Sequence, residues 1–268
     1  MTFQVLSKQL RCFNRAAVRA VCYKLLPFKT HLLMPALLSW NNLLLAGLLA
    51  ASWLPAHAQV DLQTFSDATV QAGLTATMAN AIKHSNTAGR SATGTATTKR
   101  FAYTPTAALR QQTVQQLAAR LKPSNPAAAN SLATGKVDYS RIYRSIVQGT
   151  SLPENDAAAA LASYLVTGYL IVNGIHDDNA ITPGMAQGVR AQVAGTLAGN
   201  SQLASPAAVA KLGEEMKLQT VLLTATWQQS IKNNNEAAFR TSTSQLFSKQ
   251  YGFDMTRVRP TAKGFAPR

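Results

Sequence analysis

Residues 157–175 read AAAALASYLVTGYLIVNGI, nineteen positions without one charged side chain. Four alanines open the run, and Leu161, Tyr164, Leu165, Val166, Tyr169, Leu170, Ile171 and Val172 follow. Acidic residues flank it, Glu154 and Asp156 before, Asp177 and Asp178 after. A helix apolar on every side belongs either in the middle of a bundle or across a bilayer. About 20 apolar residues suffice for a span, so length alone allows both. Ser163, Thr167, Gly168 and Asn173 dilute the run, and amphipathic segments on both sides are available to wrap it. The stretch therefore predicts a central core helix, with a membrane-inserting hairpin or pore element as the alternative.

Working outward, the neighbouring helices are marked by proline near their first turns, where a missing N–H has no helical partner to lose. Thr104-Pro105 opens a helix to about Lys122, with Val114, Leu117 and Leu121 on one face. Pro123 and Pro126 stop it and allow a short one to start. Positions 137–149 place Tyr139, Ile142, Tyr143 and Ile146 at helical spacing. Pro153 opens the apolar helix, with Glu154 and Asp156 in its first turn, where carboxylates complement the macrodipole. Thr182-Pro183 begins a helix striped by Met185, Val189, Val193 and Leu197. Ser205-Pro206 begins the longest, to about Lys232, carrying Val209, Leu212, Met216, Leu223 and Trp227. The last runs from about Asn235 to Tyr251 with Phe239, Leu246 and Phe247 inward, and Gly252 is its stop. No alternating strand and no fixed-period repeat stands out. The fold class expected is all-α, a bundle of six or seven helices around the apolar one.

The amino-terminal part reads differently. Lys8, Arg11, Arg15, Arg19, Lys24 and Lys29 form a basic leader with no acidic residue, and an apolar run from Leu32 to Leu54 follows. It closes on Ala56-His57-Ala58, just ahead of Gln59. Basic, apolar and small-x-small regions in that order describe a secretory signal over 1–58, cleaved after Ala58. An uncleaved anchor is opposed by Pro35 and the Asn41-Asn42 pair within the run. An organellar transit peptide needs neither the run nor the small-residue exit. Residues 59–84 form a first helix striped by Val70, Leu74, Met78 and Ile82. Residues 85–100 are rich in Ser, Thr, Gly and Ala and read as a flexible linker. The helical domain spans 101–252, and 253–268 is a basic carboxy-terminal tail, mobile or extended, with contact to a polyanion as the alternative reading of its four basic residues from Arg257 to Arg268.

The leader settles what composition implies. Cys12 and Cys22 are the only cysteines of the 268-residue chain, and both leave with residues 1–58. The mature chain then has no disulfide and no thiol catalysis. Removing the six leader cations from 26 Lys and Arg leaves 20 against 11 Asp and Glu, a net charge of +9. A basic exported domain favours anionic surfaces, among them cell-envelope polymers. The basic residues are scattered, so nucleic acid is not the expected partner.

Chemistry-bearing constellations are few. Only His84 and His176 survive cleavage. His176-Asp177-Asp178 has metal-ligand residue types, but three adjacent loop residues cannot all face one ion, and no second cluster completes a shell. It is expected as a solvated turn. His-Glu-x-x-His, Gly-x-Ser-x-Gly and phosphate-loop patterns are absent. The mature glutamates are Glu154, Glu214, Glu215 and Glu236, and a glycan hydrolase needs one or two carboxylates. Glu214-Glu215 is expected as a solvated helix face. Gly184-Met185-Ala186-Gln187 is similar to a segment of lytic transglycosylases, without the Glu-Ser pair those enzymes use. Tyr139 and Tyr143 are expected in the core with Arg141 and Arg144 outward. No catalytic, cofactor or metal residues are assigned.

Three features together resemble a family of exported bacterial proteins of unknown function. They are Phe101-Ala102-Tyr103-Thr104-Pro105, the Tyr-rich apolar helix, and Tyr251-Gly252-Phe253-Asp254, covering about residues 101 to 265. The resemblance implies an exported helical domain and no activity. The expected function is a non-enzymatic binding or interaction protein in the periplasm or outside the cell, its mature form soluble. Its expected partner is an anionic cell-envelope polymer or another protein. A membrane-active protein inserting residues 157–175 comes second, and a glutamate-dependent cell-wall glycan hydrolase third.

Overall fold

Capping residues set most element boundaries in the computed structural model, which describes residues 100–135, 137–177 and 179–268. Seven α-helices and one two-stranded sheet are found among them. The expected signal peptide, first helix and linker lie outside the described residues. Helix α1 is Ala107–Leu121, and the Thr106 side chain accepts from the Leu109 N–H at its start. Helix α2 is Pro126–Thr134, capped by Asn125 with Pro126 in its first turn. Helix α3 is Tyr139–Val147, capped by Asp138. Helix α4 is Ala157–Asn173, α5 is Pro183–Ala198, α6 is Pro206–Lys232 and α7 is Glu236–Tyr251. Each side-chain cap occupies one of the four N–H groups that a helix start leaves without a partner.

Two boundaries differ from expectation for local reasons. Pro105 and Pro153 lie ahead of the first helical residues, Ala107 and Ala157, because Thr106 and Asp156 take the N-cap positions instead. Glu154 therefore lies outside α4, and Asp156 serves as its cap rather than as a first-turn charge. Gly174 ends α4 and Gly252 ends α7, both in the left-handed conformation that glycine adopts without strain.

Fifteen of the seventeen residues of α4 are buried, and the helix packs against α6, α5 and α7. Its surroundings are tight. A Cβ on Gly168 would overlap the Phe247 ring of α7, which itself packs 5.3 Å from the ring of Tyr164 and 5.4 Å from that of Tyr251. No helix among the described residues is long and apolar enough to cross a membrane.

The strands were not foreseen. Strands β1 (Val258–Thr261) and β2 (Gly264–Pro267) form an antiparallel hairpin within the segment read as a basic tail. The Arg268 N–H donates to the Arg257 carbonyl at 3.0 Å, so pairs 257:268 and 259:266 are the hydrogen-bonded ones. Pro260 and Pro267 then occupy positions whose N–H would point out of the ladder, and neither removes a bond. On β2 the outward-facing backbone of Phe265 is taken up by the Gln192 amide of α5, which accepts from Phe265 N at 2.8 Å and donates to its carbonyl at 3.3 Å. Val258, Pro260 and Phe265 face inward, and Phe265 packs 5.3 Å from the ring of Phe253.

Two glycine substitutions should act in opposite directions. Gly168→Ala drives a methyl into Phe247 and should cost about 1–3 kcal/mol. Gly195→Ala in α5 meets nothing within 4 Å and should be neutral or stabilising by up to about 1 kcal/mol. Urea denaturation midpoints of the two variants check the pair.

Candidate functional site

The middle of α6 holds the least expected feature of the fold. Glu214 and Glu215, anticipated on a solvated face, are 0% and 5% exposed. Lys217 is 0% exposed three residues later, on the same side of the helix. The expectation failed because adjacent acids in a helix ordinarily face water, while their partners here come from distant parts of the chain.

Glu214 is held by four groups. Tyr103 donates to Oε1 at 2.7 Å and Tyr139 to Oε2 at 2.6 Å. Lys217 Nζ donates to Oε1 at 2.8 Å, and Arg110 Nε lies 3.9 Å from Oε2. Lys217 also donates to Asn155 Oδ1 at 2.8 Å. Its ammonium lies 5.2 Å from the ring centre of Tyr103 and 5.7 Å from that of Tyr143, so ring faces help replace its lost water.

Pairings between distant segments bring these groups together. Residues ahead of α1 run as an extended segment in which Ala102 bridges Asp156 and the Tyr103 N–H donates to the Asn155 carbonyl at 3.0 Å. This pairing lays the Tyr103 ring on Gly213, where any Cβ would collide with it. Tyr139 and Tyr143 lie one turn apart on α3 and are buried, while Arg141 and Arg144 are exposed, as their spacing predicts. Tyr143 and Ser163 hydroxyls are 2.7 Å apart. Ser163 spends its one proton on the Ala159 carbonyl at 2.7 Å, so Tyr143 is the donor between them.

A second buried ion pair adjoins the first. Asp156 Oδ1 accepts from Ala159 N at 2.7 Å, capping α4, and Arg190 of α5 grips both carboxylate oxygens at 3.1 and 2.6 Å. Glu215 pairs with Arg120 of α1 at 2.7 Å. Asn155 and Asp156 thus tie α4 to α6 on one side and to α5 on the other.

The electrostatics follow from this crowding. Burial alone would push the Glu214 carboxyl upward, but the hydrogen bonds from Lys217, Tyr139 and Tyr103 outweigh it and hold the group below its ordinary value. Burial and the adjacent carboxylate push the hydroxyls of Tyr103 and Tyr139 far above the ordinary phenol value, so both remain neutral donors. The cluster surrounds one ionised carboxylate, with Tyr103, Tyr139 and Lys217 donating to it and the buried Arg110 Nε close by without a hydrogen bond. Glu214 is 0% exposed, and its lowered proton affinity keeps it ionised near neutral pH.

The remaining anticipated positions lie apart from it. Glu154 is held by Arg144 through two bonds of 2.8 and 3.1 Å at the surface. His176 is exposed, as the solvated-turn reading expects, yet it also stacks on Trp227 at 5.3 Å. Its Nε2 lies 3.0 Å from Glu236 Oε1, to which Trp227 Nε1 donates at 3.1 Å. Among the described residues no group of three His, Cys, Asp or Glu is placed to hold a metal ion. The signal-cleavage residues Ala56, Ala58 and Gln59 lie outside the described residues. No protein-family model, curated protein or solved structure matches this chain.

Removing one buried charge should be worse than removing both. Lys217→Met removes the nearest cation from buried Glu214, leaving Arg110 at 3.9 Å, and should cost about 3–5 kcal/mol, whereas adding Glu214→Gln should return part of that loss. Because the folded carboxyl lies below the ordinary 4.5, its contribution is complete above that pH and fades as pH falls below it. Chemical denaturation of wild type and Glu214→Gln between pH 3 and 7 should show the steeper acid loss in wild type.

Proposed function

We propose that this chain is an exported, non-catalytic helical binding protein, working in the periplasm or outside the cell after cleavage at Ala58. The observation that carries the proposal is the state of Glu214. It is a fully buried carboxylate whose oxygens are filled by Tyr103, Tyr139 and Lys217. The glutamates offered by a glycan-hydrolase reading are engaged in the same spirit: Glu154 by Arg144, Glu215 by Arg120, Glu236 by His176 and Trp227. Catalytic carboxylates need access and a matched proton affinity, and Glu214 and Glu215 are buried while Glu154 and Glu236 are each tied to a basic partner side chain.

Two further features support the reading. Helix α4 keeps its apolar surface inside a bundle built around it, which favours a packed domain over a membrane-inserting one. The basic leader, apolar run and Ala56-His57-Ala58 exit supply the address, and the resemblance to exported bacterial proteins agrees with it. The partner fitting the charge balance is an anionic polymer of the envelope, or a protein carrying acidic groups.

The test uses purified cell-wall sacculi. Incubation with the protein should release no soluble sugar. Release by wild type that disappears in Glu236→Gln, with the melting temperature unchanged, would establish the hydrolase reading instead.

A further inference from the structure

The hairpin presents an unusual face. Antiparallel pairing puts Arg257, Arg259 and Thr261 on one side of β1, opposite Arg268, Ala266 and Gly264. The other side carries Val258, Pro260 and Phe265 into the core. Arg257 and Arg259 therefore project outward side by side, about 7 Å apart along the strand. Exposed Lys263 follows in the turn. Ala266, opposite Arg259, is too short to cover either guanidinium.

These cations are lightly engaged. Arg257 is 85% exposed, and among the described residues its side chain pairs with Asp254, at 3.3 Å. That carboxylate is already shared with the Thr256 amide and hydroxyl at 2.9 and 2.6 Å. Arg268, on the same face, is turned away to the Tyr169 hydroxyl and Asn173. The backbone beneath is firm, pinned by Gln192 of α5 and by the Phe253–Phe265 contact. The charges are thus carried on a pinned ribbon, so binding orders the side chains but not the backbone that bears them.

We propose that this face, Arg257, Arg259 and Lys263, binds an acidic polysaccharide through its carboxylates. The proposal rests on the binding-protein reading above and gives it a surface and a ligand class. Guanidinium groups match planar carboxylates two bonds at a time, and a polymer repeats that group along its length. A lipid surface fits less well. Interfacial elements also bury large apolar side chains, and here Val258 and Phe265 point inward, leaving only Ala262, Ala266 and Pro267 toward solvent among the hairpin's apolar residues. Single-stranded nucleic acid fits less well too, since it needs rings on which bases stack, and the outer face has none.

The experiment measures binding of the full chain to alginate, a polyuronate, at 20 and 300 mM salt. Uncharged dextran, vesicles containing phosphatidylglycerol and oligo-dT serve as comparisons. Arg257→Gln/Arg259→Gln/Lys263→Gln should weaken alginate binding about ten-fold at low salt. Arg141→Gln/Lys211→Gln/Lys249→Gln, which removes the same charge from exposed sites elsewhere, should change it less than two-fold. Charge reversal by Arg259→Glu alone should also weaken it, and it keeps the test open if the triple variant folds poorly. High salt should abolish most of the binding. Equal loss in both triple variants, no loss in the hairpin variants, or no alginate binding by wild type each overturns the proposal. So does tighter binding to vesicles or oligo-dT. None of these outcomes touches the sacculus assay, so the binding surface can fail while the non-catalytic reading stands.

Discussion

Placing the Glu214 carboxylate and the Lys217 ammonium out of water costs several kcal/mol per ion, even after the protein relaxes around them. Each must therefore find protein partners of good geometry, and this requirement reaches into most of the described fold. Helix α3 has to present Tyr139 at the same place where the chain ahead of α1 presents Tyr103. That chain does so by pairing Ala102 and Tyr103 with Asn155 and Asp156. Gly213 must lack a side chain, or the Tyr103 ring could not lie against α6. Asn155 then meets Lys217, and its neighbour Asp156 caps α4 and engages Arg190. A demand made by one helix so fixes where three others begin or pass.

The same dependence explains what could be read from sequence and what could not. Helix starts were legible to within a few residues because their causes are local, and at Thr182 and Ser205 they fall where the following proline put them. Thr106, Asn125, Asp138, Asp156, Thr182 and Ser205 each sit within three residues of the N–H they accept from. The inward placement of Tyr139 and Tyr143 followed from spacing of the same range. Glu214 and Glu215 were misread because their partners are 111, 75 and 95 positions away, at Tyr103, Tyr139 and Arg120. One local hint existed. A glycine beside an acid, with a lysine three residues on and apolar neighbours at Leu212 and Met216, is an odd composition for a solvated face.

The hairpin was hidden for a different reason. Its strands have four residues each, too few for alternation to rise above chance, and each contains a proline that argues against a strand. Only the register shows that both prolines fall where no ladder N–H is needed. Pro260 on the outer strand also discourages a further strand from pairing there, as does the adjacent Arg259. The segment expected to be loose is instead clamped to α5 by Gln192, a contact between residues 73 positions apart.

Interior and surface charges consequently do separate work. Residues 100–268 contain 17 Lys and Arg against 9 Asp and Glu, a net charge of +8. Inside, the charges cancel pair by pair: Asp156 with Arg190, Glu214 with Lys217, Glu215 with Arg120. The excess is therefore left entirely outside, on groups such as Arg257, Arg259 and Lys263. Dissolved ions screen exposed charges within about 10 Å at 0.1 M salt and reach buried pairs far less. Ionic strength thus acts on what the surface attracts while leaving the ties between α4, α5 and α6 intact. A protein whose partner is held by exposed charge can, on this arrangement, release it in salt without loosening its own core.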